Sequence, residues 1–332
     1  MRQSAGAHTD IRLNLIFMLG SQALVIRVSR PLLTIVAALL LAGALDACGR
    51  AGPAALRSAA SGGPRFEVLA AENVWGSIAA QLAGSKASVQ SIIVNPATDP
   101  HGYQPSARDA RLLAAANVAI VNGVGYDSWA GQLLRASPAA GRVVLDVGAL
   151  LHLPDGANPH RWYYPADVRV VARQILADYS RLDPADAAYF AAREHSFERQ
   201  GLARYDALRS EIRARYKGVP VGYSESIFQG LGEDLGLDLL TPYGFTRAVA
   251  EGSDVTAAEK ETVDRQASRR QIRVWVFNSQ NVTPDVERVN QIAAAEHIPI
   301  VPVTETLAPA GASFQRWQER QLEELLRALS RR

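Results

Sequence analysis

FEVLAAENVWGSIAAQLAGSKASVQSIIV, residues 66–94, decides the architecture. FEVLAA (66–71) reads as a strand, and Asn73 then caps an apolar-periodic helix that runs to Leu82. SVQSIIV (88–94) reads as a second strand. The pattern continues with a helix over 106–116, the strand VAIVNG (118–123), a helix over 127–134 and the strand VVLDV (143–147). Strands that alternate with helices predict a parallel sheet flanked by helices.

Residues 165–216 break the rhythm. They hold no strand signal and only Gly201 among glycines, and they are rich in Ala, Arg, Glu and Leu. Two helices are expected, divided near Asp183-Pro184, the second about 30 residues long, well beyond the usual mean of about 11–12. Alternation then resumes: strands at 219–223, 237–240, 273–278 and 298–303, and helices at 227–235, 256–270, 284–295 and 313–329. The fold class is therefore α/β, with two βα-repeat lobes and parallel sheets joined by a long helix. The expected limits are 65–180 for the first lobe, 181–217 for the linking helix and 218–332 for the second lobe.

Upstream of this body lies a different composition. LLTIVAALLLAGAL (32–45) follows Arg27 and Arg30 and spans 14 residues, short of the roughly 20 that cross a bilayer. A basic flank, a short apolar core and small residues describe a secretory signal peptide, 1–48. Leu45-Asp46-Ala47-Cys48 resembles a bacterial lipobox, in which Cys48 is lipidated and becomes the mature N-terminus. A second apolar stretch, 13–26, makes the leader long, and Met18 is a possible start. Residues 49–64, rich in Gly, Ala, Ser and Pro, read as a flexible tether. The four arginines and two acids ahead of Cys48 account for the whole net charge of +2, so the body is neutral. That excludes a basic nucleic-acid binder. The single cysteine excludes an intrachain disulfide and any multi-cysteine metal site.

In parallel α/β sheets, ligands sit beyond the carboxyl ends of strands. Four such places carry metal-ligand chemistry: His101 in NPATDPHGYQPS, His160 in GANPHRWYYP, Glu225 in GYSESIF and Glu305 in PVTETL. Two come from each lobe, and a cleft between lobes would unite them. Two imidazoles and two carboxylates suit a divalent first-row ion, and the carboxylates balance its charge. Asp99 and Tyr103 are near enough in sequence to orient His101. His152, His195 and His297 read as solvent-facing or structural. Asn278, Ser279 and Gln280 end a strand and face the cleft without being expected ligands, and Trp129, Trp162 and Tyr163 read as core.

These residues also carry a family resemblance. DPHGYQPS with ARDARLLAAANVAIVNGVGYDSW, then NPHRWYYPADV, then SESIFQGLGEDLGL leading to TPYGF, resemble the metal-binding solute-binding proteins of bacterial ABC transporters, the zinc and manganese group called cluster A-I. The resemblance covers nearly all of 66–329. It implies two α/β lobes joined by a rigid helix and four protein ligands at the lobe interface, by position His101, His160, Glu225 and Glu305. Three local departures stand out: NPH for the commoner DPH, Tyr164 where Asp is usual, and Glu at the fourth ligand position where Asp is usual.

The resemblance implies a monomeric, lipid-anchored receptor outside the cytoplasm. It would capture Mn2+ or Zn2+, or iron, and deliver it to a membrane permease with its ATPase, without catalysis. No His-rich loop is present, and the two carboxylates lean toward manganese. Two other readings stand beside it: a secreted metallohydrolase using His101, His160 and one Glu as ligands with the other Glu as general base, which would keep an open coordination position, and an adhesin-type surface lipoprotein with a vestigial site.

Overall fold

The computed structural model describes residues 15–19, 22–26, 66–98 and 102–331. Cys48 and its flanks, and Asp99 and His101, lie outside the described residues. The chain divides between Ser61 and Gly62 into two units. In the first, β1 (Leu15–Leu19) and β2 (Gln22–Ile26) pair antiparallel. Among the described residues no helix is long and apolar enough to cross a membrane. The second unit holds both lobes.

Its first lobe is built from β3 (Phe66–Glu72), α1 (Asn73–Ala83), β4 (Ala87–Ile93), α2 (Ala107–Ala115), β5 (Val118–Val121), α3 (Ser128–Ala136), β6 (Val143–Asp146) and the one-turn α4 (Val147–Leu150). The four strands are parallel in the order β4-β3-β5-β6. Central β5 is buried along its whole length, as a strand covered by helices on both faces must be, whereas edge strand β6 leaves Val144 exposed. Ser106 and Asp109 form a reciprocal capping box that starts α2.

Three helices follow: α5 (Pro165–Leu182), α6 (Ala187–Ser196) and α7 (Ala203–Tyr216). The chain breaks at Asp183-Pro184, as expected, because proline cannot continue a helix. The long second helix is present from 187 to 216 but is interrupted by a π-helical turn, Phe197–Gly201, in which the Leu202 N–H reaches back to the Phe197 carbonyl.

The second lobe holds β7 (Pro220–Tyr223), α8 (Gln229–Asp234), β8 (Asp238–Leu239), α9 (Tyr243–Glu251), α10 (Ala257–Ser268), β9 (Val274–Asn278), α11 (Pro284–Ala295) and β10 (Ile300–Val303), and the chain ends in α12 (Phe314–Ser330). Its strands are parallel in the order β10-β9-β7-β8. By rank within each lobe both sheets run second, first, third, fourth, so the second lobe repeats the topology of the first. Helix α9 was not foreseen; it stops at Gly252, whose left-handed φ of 65° suits a residue without Cβ.

One apolar cluster runs through both lobes. Trp75 and Trp162 of the first, Val276 and Val303 of the second, and Tyr205, Phe314 and Trp317 of the bridging helices all belong to it. Each fully buried large side chain contributes about 1.5–3 kcal/mol relative to exposure. Helix α12 packs on α7 and meets α1 at its start, where Phe314 N donates to Ser77 Oγ (2.9 Å) and the Gln315 and Gln81 amides pair (3.1 and 2.8 Å). The lobes are therefore joined by packed aromatic side chains as well as by the linking helix, and the interlobe cleft has stiff walls.

Candidate metal centre

In both sheets the strand order reverses between the first and third strands, β3/β5 and β7/β9. Loops leaving these strands diverge and open a crevice at the carboxyl ends. Strand β7 runs straight into Ser224 and Glu225. Strand β9 ends on Asn278, and β10 is followed by Thr304 and Glu305. Glu225, Asn278 and Glu305 are buried, with Glu225 at 0% and Glu305 at 1% exposure.

His160 comes from the first lobe, in the loop before Arg161–Tyr163, and is also fully buried. Its Nε2 stands 3.6 Å from Glu225 Oε1 and 4.0 Å from Glu305 Oε2. One donor atom from each of the three residues falls within 4.8 Å of the others. Donors held about 2.1 Å from a zinc-sized ion at tetrahedral to octahedral angles stand roughly 3.0–3.4 Å apart. The present spacing is somewhat wider than a single bound ion would set.

The donors are held by a dense set of partners. The Asn278 Nδ2 group donates to Glu225 Oε2 (2.8 Å) and to Glu305 Oε1 (2.6 Å), one N–H to each carboxylate. Asn281 Nδ2 lies 3.4 Å from Glu225 Oε2. The Tyr126 hydroxyl donates to Glu305 Oε2 (2.7 Å), and burial and the Glu305 charge push its pKa well up, so it stays a donor. Gln280 Oε1 accepts from the backbone of Glu305 (2.6 Å) and Thr306 (3.0 Å), while its Nε2 donates to the Pro96 carbonyl of the first lobe and to Thr306 Oγ1. Asn73 Oδ1 accepts from Leu307 N (3.1 Å) and the Tyr163 hydroxyl donates to the Thr304 carbonyl (2.9 Å), so the Glu305 loop is fastened to the first lobe at several points. Two aromatic rings flank the imidazole edge-on: Tyr126, with its ring centroid 5.8 Å away, and Trp162, at 5.5 Å.

The ring orientation of His160 follows from its neighbours. Asn158 accepts from the His160 backbone N–H (3.0 Å) through Oδ1, and donates through Nδ2 to the Ser226 carbonyl (2.7 Å). A backbone N–H can only donate and a carbonyl can only accept, so the amide cannot be turned over. Oδ1 therefore also faces His160 Nδ1 at 3.0 Å, which places the proton on Nδ1 and leaves the Nε2 lone pair toward the carboxylates. The asparagine of NPH orients the histidine.

A second pair of acids lies behind the site. Glu72, at the end of β3, is 1% exposed. Burial, then the Asp127 carboxylate beside it, push its pKa well above the usual carboxylate range. Asp127 is raised to about 6, chiefly by burial, which outweighs the N–H groups of Asn122 (2.7 Å) and Gly123 (2.8 Å) that it accepts. Burial and the neighbouring carboxylate thus both favour the protonated form of Glu72. Gly123 makes the tight turn possible: its φ is 71°, and a Cβ there would sit 2.3 Å from Asp146 Oδ1.

The structure brings His160, Glu225 and Glu305 together, while His101 and Cys48 lie outside the described residues. Tyr103 hydrogen-bonds Asp109 (2.8 Å) and packs on Trp129, which ties its loop to α2. His152, His195 and His297 are exposed, and Trp162 and Tyr163 are fully buried. Sequence reasoning missed the parts played by Asn278, Gln280, Asn158 and Tyr126. The only available signal was the polar run Asn278-Ser279-Gln280 at a strand end.

A family model described as ZnuA, the periplasmic component A of the zinc-uptake complex, matches residues 68–328. Among curated proteins the chain is 26% identical over 183 residues to the iron-binding protein YfeA of Yersinia pestis, covering 52% of this chain and 57% of that protein. It is 26% identical over 184 residues to the manganese-binding lipoprotein MntA of Halalkalibacterium halodurans, covering 53% and 60%. The matched region thus spans little more than half the length of these relatives. The solved periplasmic zinc-binding protein TroA of Treponema pallidum superposes with a TM-score of 0.67 at 17% identity, over 81% of this chain and all of that one. The solute-binding protein FpvC of Pseudomonas aeruginosa, in complex with Mn2+, gives 0.63 at 20% identity, over 80% and 98%. These two share the fold of two parallel-sheet lobes. With its family model matched across both lobes, the chain belongs to the family of ZnuA, the periplasmic component of zinc uptake.

Proposed function

We propose that the protein is the extracytoplasmic receptor of an ABC importer for a divalent transition metal. The observation that carries this reading is the convergence of three buried donors, His160 Nε2 and the carboxylates of Glu225 and Glu305, at the seam of two stiffly joined lobes. His101 is the fourth ligand in this reading. Such a closed set suits holding an ion rather than activating a water on it. No bond is made or broken, and the permease with its ATPase takes the metal onward. The relatives named as iron-binding and manganese-binding support the same class of cargo. Two carboxylates with two imidazoles suit Mn2+, although zinc follows closely because it binds most such sites more tightly. The working units are the lobes 65–180 and 218–332 with the link 181–217. The protein is anchored at the outer face of the membrane through lipidated Cys48 and acts as a monomer.

The test is metal titration of the full chain and of Glu225→Ala. Wild type should take up one Mn2+ or Zn2+ per chain. The variant should lose at least 100-fold in affinity while its apo form keeps its circular dichroism. Equal stoichiometry and affinity in the two proteins would overturn the assignment.

A further inference from the structure

We infer that Asn158 is a clasp between the lobes as well as the orienter of His160, so that metal retention depends on the register of the two lobes at this one amide. The inference rests on the metal-receptor reading above. Asn158 belongs to the first lobe and Ser226 to the second, where it directly follows Glu225. Oδ1 of Asn158 holds the His160 N–H and ring Nδ1, both at 3.0 Å, and Nδ2 holds the Ser226 carbonyl at 2.7 Å. Nδ2 also lies 3.3 Å from the Tyr164 hydroxyl. Ser226 Oγ stands 3.4 Å from the same ring Nδ1.

An amide is planar and rigid, so its two ends cannot move separately. A shift of the 225–228 segment pulls Nδ2, tilts the amide and takes Oδ1 off the imidazole. The ring of one proposed ligand and the backbone beside another are thereby tied through one side chain. The clasp lies on the wall of a cleft of about 730 Å3 formed by both lobes, reachable by anything that docks there.

Only an amide can do both tasks. A carboxylate at 158 would still accept from His160, and by polarising the imidazole would keep or strengthen it as a metal ligand, since losing such a partner ordinarily costs about 10–100-fold. It would also present an oxygen to the Ser226 carbonyl, where no hydrogen is left to bridge them. Orientation alone and orientation with a clasp therefore give opposite signs for Asn158→Asp.

The experiment compares wild type, Asn158→Asp and Asn158→Ser in the full chain. Mn2+ dissociation is followed by chelator chase, hydrogen exchange of the 225–229 amides is measured in the metal-free proteins, and the His160 tautomer is read from its 15N ring shifts. In Asn158→Asp the Nδ1–H tautomer should persist, while Mn2+ leaves at least 10-fold faster and the 225–229 amides exchange at least 10-fold faster. Asn158→Ser, which is too short to reach Ser226, should show the same two changes and serves if the aspartate variant does not fold. Unchanged exchange at 225–229, or dissociation as slow as wild type or slower, overturns the clasp. A wild type that binds no metal would sink the receptor reading, and exchange in the metal-free proteins would then decide the clasp by itself.

Discussion

Glu225→Gln should make the metal-free protein more stable while abolishing its response to metal. Glu225 and Glu305 are buried, and their facing oxygens lie within 4.8 Å. Two unit charges at that distance repel by about 3 kcal/mol at an effective dielectric constant of 20. Gln removes one of them and keeps an acceptor for Asn278 Nδ2. That hydrogen bond loses its charge assistance, a loss of about 1 kcal/mol. The new amide N–H can face His160 Nε2, an acceptor once Nδ1 carries the proton. The balance is a gain of about 2 kcal/mol, or about 5 °C in melting temperature for a unit of this size. The assay is thermal and urea unfolding with chelator present, then with Mn2+ at about 100 times the wild-type Kd, where wild type should gain about 2.7 kcal/mol. A metal-free variant melting at or below wild type would show that the two carboxylates are not in conflict. Retention of the metal-induced shift would remove Glu225 from the ligand set.

The neighbouring acid makes a pH-dependent counterpart. Glu72 has a raised folded pKa, so its ionisation in the unfolded chain costs folding stability above about pH 4.5, and that cost vanishes at lower pH; Glu72→Gln should therefore raise the melting temperature more at pH 8 than at pH 4, and equal gains would refute the burial argument. Gln280→Leu strips the acceptor from two backbone amides of the Glu305 loop and the donor from Pro96; at about 1–3 kcal/mol for each unsatisfied group it should lower stability by at least 2 kcal/mol and Mn2+ affinity about 10-fold, read by unfolding and titration. A Cβ on Gly230 of α8 would lie 2.4 Å from the Tyr164 ring, over which Arg161 also packs at 3.6 Å from the ring centroid; Gly230→Ala should cost about 1–3 kcal/mol, and adding Tyr164→Ala should recover part of it. Cys48→Ser should shift the protein from the membrane fraction to the soluble fraction of cells, and retention in the membrane would argue against a lipid anchor.

Much of the fold is readable because apolar runs and caps act locally. VAIV (118–121) is buried at every position, so it needs no neighbour to be recognised as a central strand. Asp183-Pro184 stops a helix by covalent geometry alone. Helix α9 hides because Thr246 and Ala248 supply half of its buried face beside Phe245 and Val249, leaving a weak apolar period after a Thr-Pro turn. The π turn at Phe197–Gly201 is invisible for a different reason: it is one residue of extra winding inside a helical pattern, and its sequence is no different in kind from the turns around it. At the site, ligand types advertise themselves at strand ends. The amides that aim them do not, since Asn158 and Asn278 are ordinary loop and strand-end residues until something places them.

Strand order does the placing. In the second lobe β9 lies between β7 and β10. Whatever side chain ends β9 therefore stands between the residues that come after its two neighbours, here Glu225 and Glu305. It must supply two donors at once, and Asn278 does. The first lobe has the same order, with β5 between β3 and β6, and the residue that leaves β5 is again a fully buried asparagine, Asn122. Its Nδ2 donates to the Pro159 carbonyl (2.9 Å), one residue before His160, while its Oδ1 accepts from Trp75 Nε1 (3.0 Å) on the helix that leaves β3. Each lobe thus uses the end of its third strand to steady the residues that its neighbouring strands deliver. The one-dimensional sequence separates Asn278 from Glu225 by 53 residues and Asn122 from Pro159 by 37. Their partnership is a consequence of parallel strands crossing over in a fixed order.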